Sequence, residues 1–395
     1  MKARSLMSIP SDYLEGYEKA RLVDAEMADA YVEHIQVGDP DADAMMEALA
    51  AIPARDAHRF IEAGMEGDLD VLKDAPSVVV KFFDNLDSPP DWMDTAAFVP
   101  GIRMFHRNSR VVLVGFVGGV LVEGFATNIS KSFFITGRLR DQGVRRLKQN
   151  NRHMLESFLP GGLDREGDGL KLSVRVRIIH AQLRRLLKQS DDWDFDAWGL
   201  PLSSAHMGYS ITAFSARLLK HMKGLGATFD EEERASFMAV WRYIGYLMGI
   251  PETILFKDEE EALRVFRIGG MVEPPISLES IAMANSLIAS APYVAGIPDH
   301  EARVKLTDYA YKLSRALIGD PLADELKYPD ARSLGVLLNF RNLGRLRRIM
   351  GKSFPKLVNN PYTYFTGLLE VSAYDEAGIS YRLPDHVYAE ESSFY

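Results

Sequence analysis

The chain has 395 residues, 47% of them apolar, with a net charge of −9 and no cysteine. That supports one large core or two ordinary ones. The acidic balance argues against a general nucleic-acid binder, and the lack of thiols excludes disulfides, zinc–cysteine sites, iron–sulfur clusters and cysteine nucleophiles.

The opening "MKARSLMSIPSDYLEGYEKA" carries early positive charge but no apolar core, so no signal peptide is read there. Helical periodicity then dominates, over 11–36, 56–66, 76–87 and 92–107. "VVVKFF" (78–83) is the best case for a β-type run and is short. The longest oily run, "VVLVGFVGGVLV", has 12 residues, whereas a spanning helix needs about 20. It reads as part of a buried helix over 110–127 whose glycines let a neighbour approach. With no spanning segment and no thiols, the expected location is cytoplasmic.

Further helices are expected over 138–158, 171–189, 203–223, 230–249, 258–269, 276–291, 300–317 and 331–350. Punctuation separates them: "PGGLDREGDG" (160–169), "GLPLSS" (199–204), "LGATFDEEE" (225–233) and "MVEPPIS" (271–277). Asp230 followed by acids suits a helix start, and "DEEE" (258–261) reads as a solvated one. Fold class is all-α. No GxGxxG, Walker loop, HExxH or GxSxG occurs, and no close histidine pair suggests a metal.

Two adjoining helices carry the candidate chemistry. In "RRLKQNNRHMLESFL", Arg146, Gln149, Asn150 and His153 share one face. In "VRVRIIHAQLRRLL", His180 lies on an apolar seam with Val176, Leu183 and Leu187. The PGG loop between them makes a helical hairpin. His180 has two readings, a core histidine bonded to a neighbour or an axial haem ligand on an apolar face. Arg175, Arg177, Arg146 and Arg184 are surface charges under the first reading and cations for haem propionates under the second. His206 and Tyr209 lie either near a pocket or on an exposed first turn. Gly245 and Gly249 read as close-packing residues.

The ordered blocks "RRLKQNNRHML", "FLPGGL", "VRVRIIHAQLRR", "WGLPLSSAHMGYSITAFS" and "GLGATFDEEERASFMAVWRYIGYLMGIP" resemble the family of MpaB-type oxygenases and bacterial latex clearing proteins. The resemblance runs from about Gly137 to Pro251. It implies a globin-like helical core binding haem b, here residues 91–255 of a single domain 1–395, with flanking helices in 1–90 and 256–395. It puts His180 at the proximal iron-ligand position and Arg146, 34 residues upstream, at the pocket arginine. Gln149 and Asn150 replace the lysine and threonine of rubber-cleaving relatives. Lys148, one residue off, points about 100° away. An open or water-filled sixth position is therefore expected, and rubber itself is put in doubt.

The activity implied is cleavage or oxygenation of C=C bonds by O2 in a hydrophobic isoprenoid- or lipid-like molecule. Arg146 would polarise oxygen or organise a propionate, and Asn150 would donate a hydrogen bond. Gly118, Gly119, Phe125 and Phe214 would line the apolar wall. The basic helix 341–352 is a candidate for contact with an anionic membrane or a redox partner. The competing classes are a haem-binding sensor or carrier without turnover, and a cofactor-free helical interaction protein.

Overall fold

Many helix starts are announced by a side chain that accepts a backbone N–H, as helix N-termini require. Asp24, Asp39, Ser203, Asp258, Ser277 and Asp299 each do so. Asp230 and Glu233 complete a reciprocal capping box. These contacts come from a computed structural model that describes residues 9–136, 143–353 and Leu383, without the side chains of 143–146 and 346–353. Among the described residues every regular element is helical.

Helix Asp168–Leu187 is central. Helices Pro40–Ala50, Gly143–Ser157 and Glu231–Leu247 all pack against it. It forms the expected hairpin with helix Gly143–Ser157, and His153 Nε2 meets Ser173 Oγ across the hairpin at 2.8 Å. Helix Glu231–Leu247 also lies on helix Val99–Arg107. The two approach so closely at Gly101 that a Cβ there would sit 2.6 Å from the Phe237 nitrogen. Phe105, Phe158, Phe237 and Trp241 fill the space beneath, with Phe105 and Phe158 stacked at 4.4 Å.

The N-terminal helices Leu14–Arg21 and Ala25–Ile35 pack on helix Glu259–Val272. Tyr13 and Tyr31 are completely buried there. "VVVKFF" is helical, within Ser77–Asp84. Its buried residues Val79, Phe82 and Phe83 are three and four apart, so the helical period overrides β-branched propensity. The oily run is indeed helical but contains a π turn, Phe116–Val120. A second π turn, Ala213–Arg217, packs against it. Among the described residues no single helix is long and apolar enough to cross a membrane.

Candidate functional site

His180 lies in the second half of helix Asp168–Leu187, among residues that are mostly buried. Leu183 and Leu187 of the expected seam are fully buried, while Val176 and His180 are half-buried. Leu172 and Ile179 are half-buried too. The central helix therefore has an apolar strip, Leu172–Val176–Ile179, that its neighbours do not fully cover, with His180 at its end.

One side of His180 opens into a crevice of 10 Å³, shared with Gly38, Asp39, Met207, Met248 and Gly249. That is room for about one water, so this crevice takes no flat cofactor. It is sealed by a buried ion pair. Arg177 Nε donates to Asp39 Oδ2 at 2.5 Å and Nη2 donates to Oδ1 at 2.8 Å. Its guanidinium also lies over the Phe82 ring, 4.9 Å from the centroid.

The WGLP loop explains how Asp39 gets there. Leu200 N donates to Ile35 O, Ser204 N to Val37 O and Ser204 Oγ to Gly38 O, so the loop docks on residues 35–38. Gly249 completes the wall with φ +77°, a conformation L side chains rarely adopt. A Cβ at Gly249 would meet Asp39 Oδ2 at 2.1 Å. Gly245, by contrast, does what packing glycines do, making way for Leu255.

Arg184 donates to Asp43 Oδ1 at 2.7 Å and to Leu202 O at 3.1 Å, so it ties the same two helices and the loop together. Burial raises the Asp43 pKa despite this cation. Arg175 is half-buried on the same helix as His180. Gln149 and Asn150 are half-buried on the adjoining helix. The backbone of Arg146 lies in helix Gly143–Ser157, and its side chain lies outside the described residues. Desolvation lowers the His153 pKa to about 4, so the ring is neutral.

Other expectations are corrected. His206 and Tyr209 are not on an exposed turn, being 1% and 5% exposed. Gly118 and Gly119 do not line an open wall. Ser314 Oγ donates to Gly118 O at 2.6 Å, and a Cβ on Gly119 would fall 2.6 Å from the His221 ring. Phe214 packs between Phe116 and Trp241, at 5.5 and 5.3 Å.

Two residues escaped the sequence reading. Asn151 is 0% exposed on the Leu147–Met154–Leu155 face, and among the described residues neither side-chain polar atom has a hydrogen-bond partner. The buried Trp241 Nε1 likewise has none. Native proteins rarely leave such groups unpaired, so each asks for a bound group or a water. No sequence signal marked them, because an Asn amid "QNNRH" looks like helix surface.

Residues 103–349 match the family model described as the catalytic domain of the ER-bound oxygenase mpaB/B′ and rubber oxygenase. That is more than half of the chain. The chain belongs to this mpaB/rubber oxygenase family. A rubber oxygenase of Streptomyces sp. (strain K30) is 21% identical over 226 residues, covering 55% of this chain and 54% of that protein. The match thus spans about half the relative's length. A solved structure of the latex clearing protein LCP in its closed state superposes with a TM-score of 0.63 at 18% identity. It covers 89% of this chain and 95% of that one, which shows a shared fold. The mpaB/rubber oxygenase domain therefore contains the His180 hairpin, the WGLP loop and the Glu231–Leu247 helix.

Proposed function

We propose that this chain is a haem b-dependent oxygenase with His180 as the proximal iron ligand. It would act with O2 on C=C bonds of a hydrophobic isoprenoid- or lipid-like molecule. The observation that carries this reading is His180 itself, a half-buried imidazole at the end of an incompletely covered apolar strip on the central helix of an oxygenase domain.

The donor set fits haem better than a bare ion. Among the described residues no three His, Asp or Glu side chains form a metal cage. A porphyrin brings four iron ligands of its own and asks the protein for one imidazole and an apolar face. When bound, the haem supplies the redox-active iron at which dioxygen meets the alkene.

The chain's own residues then divide the work. Arg175 and Arg177 are the proposed cations for the propionates. Two of the three Arg177 guanidinium nitrogens are already held by Asp39, which fixes the height of the third. Asn150 and Gln149 offer amide N–H groups from the adjoining helix, neutral donors where rubber-cleaving relatives carry a cation. Arg146 is the proposed pocket cation. Leu172, Val176 and Ile179 exclude water from the iron-facing side, which strengthens each polar contact there.

The test is an absorption spectrum of the haem-reconstituted chain, oxidised, reduced and with carbon monoxide. A Soret band that His180→Ala abolishes or shifts is expected. An unchanged spectrum and haem content in His180→Ala would remove the ligand assignment. Oxygen uptake with formation of carbonyl products from a polyunsaturated isoprenoid is expected of the loaded protein. A loaded protein that forms no such product from any alkene would be a carrier or sensor instead.

A further inference from the structure

A second cavity, of 690 Å³, lies away from His180. No residue of helix Asp168–Leu187 is among those lining it. It is within the range of small-molecule sites, roughly 300–1,000 Å³. Its walls are apolar, built by Phe266, Met271, Pro275, Ile276, Ile281 and Leu322. Its floor carries polar groups from three separate parts of the chain: Glu273, Tyr209, and the Glu123–Arg217 pair.

Glu273 is the unusual member. Its side chain is 3% exposed, yet it lines the cavity. Tyr31 O–H donates to Oε1 at 2.7 Å and Asn128 N–H donates to Oε2 at 2.9 Å. The His206 ring lies 3.5 Å away, and desolvation keeps it neutral, with its pKa lowered to about 3. Tyr13 bridges Asn128 Nδ2 and His206 Nε2, at 3.1 and 2.9 Å. No cation therefore touches this carboxyl among the described residues, and burial pushes its pKa to about 7. At neutral pH a large share of it is the carboxylic acid, which can donate a hydrogen bond. Tyr209 adds a second O–H beside Gly270, held protonated by burial.

The surrounding charges disfavour an ionic guest. Glu123 is taken by Arg217, whose Nε donates at 3.1 Å, and by His221 Nε2 at 3.2 Å. At the mouth Lys19 pairs with Glu15 at 2.6 Å. Asp12, Glu325 and Lys327 complete the rim, so both signs face any entering charge. Two hydroxyl donors in a half-open, partly apolar cavity whose charges are balanced call for a neutral acceptor.

We propose that the cavity in front of Glu273 is a binding site for an apolar molecule carrying a neutral carbonyl head, received by the hydroxyls of Glu273 and Tyr209. The site is separate from the haem reading and stands without it. Saturated probes keep the two apart, since they offer no C=C bond to oxidise.

The experiment is calorimetric titration of the full chain with 2-decanone, decanoate and decylammonium at pH 6 and pH 8. Wild type should bind one 2-decanone saturably, at least tenfold more tightly than either ion, and more weakly at pH 8 than at pH 6. Glu273→Gln, which keeps a donor at every pH, should bind 2-decanone equally at both. Ile276→Trp should weaken binding tenfold or more by filling the cavity, and Leu322→Trp serves the same purpose from another helix if that variant fails to fold. Absence of saturable binding, preference for either ion, or full affinity in both filled variants would overturn the proposal. Haem loading should leave 2-decanone affinity unchanged, and competition between the two would place the ketone at His180 instead.

Discussion

Arg177 holds Asp39 with two parallel hydrogen bonds, joining positions 138 residues apart in the chain. The pair fixes the start of helix Pro40–Ala50 against the helix that bears His180. Asp39 also caps that shorter helix through the Ala42 N–H. One carboxylate thus anchors both a helix start and a buried cation.

Removing one partner strands the other. Arg177→Met should destabilise the fold by about 3–5 kcal/mol, because Asp39 would remain buried and uncompensated. The side chains are 13% and 8% exposed, so solvent screens them little. Urea unfolding checks this. A loss below 1 kcal/mol would mean that water reaches Asp39 once the arginine is gone.

Gly249 presses its backbone on the same pair. Gly249→Ala should cost at least about 1–2 kcal/mol from the left-handed backbone alone. The added methyl must also displace Asp39 Oδ2, so more is expected. Thermal unfolding of Gly249→Ala beside Gly249→Asn separates these terms, because Asn tolerates the backbone but not the crowding. Equal, small losses in both would show that the wall yields.

The pH profile should carry opposing slopes. Glu273 titrates near 7 in the fold against 4.5 ordinarily, so its contribution is full below pH 4.5 and is lost as pH rises through 7. The linkage amounts to roughly 3 kcal/mol. His153 and His206 titrate at about 4 and 3 against 6.5, so their contribution is present above pH 6.5 and lost as pH falls. Glu273→Gln should therefore steepen the rise in stability between pH 4.5 and 6.5, and flatten the profile above it. Denaturation midpoints across pH 4.5 to 8 test this; an unaltered profile would mean that Glu273 titrates normally.

Asn151 makes a prediction of opposite sign. Asn151→Leu should stabilise the cofactor-free chain by about 1–3 kcal/mol, because a buried amide without partners is replaced by an apolar group. Destabilisation of the free chain would show that a water satisfies Asn151 already.

Helix starts were legible because capping is local chemistry: Asp230 and Glu233 are three residues apart and bond each other. The hairpin was legible for the same reason. Partners such as Asp39 for Arg177, or Glu273 for Tyr31, are chosen by tertiary packing and leave no local trace. The "VVVKFF" run is ambiguous because β-branched residues in a short window carry two periods at once, and the helix expected over 76–87 is the one that forms. His206 and Tyr209 stay open between a pocket and an exposed turn in the sequence because a first helical turn is usually wet, and here the N-terminal helices cover it. At the His180 site the hairpin and its polar positions could be read from pattern. The unpaired Asn151 and Trp241 could not, since lack of a partner is a property of the packed core.

The two π turns tie the chain's length to its chemistry. Each holds one residue more than the α-helical path it interrupts. Removing one residue from Phe116–Val120 would leave a regular helix with Glu123 still bearing on Arg217 and His221, because the five residues of the π turn cover about the arc of four α-helical ones. The same edit in Ala213–Arg217 would likewise leave His221 on its present bearing. The facing turns behave as absorbed insertions: losing either residue would disturb the packing between the two turns and leave the downstream ion pairs in register.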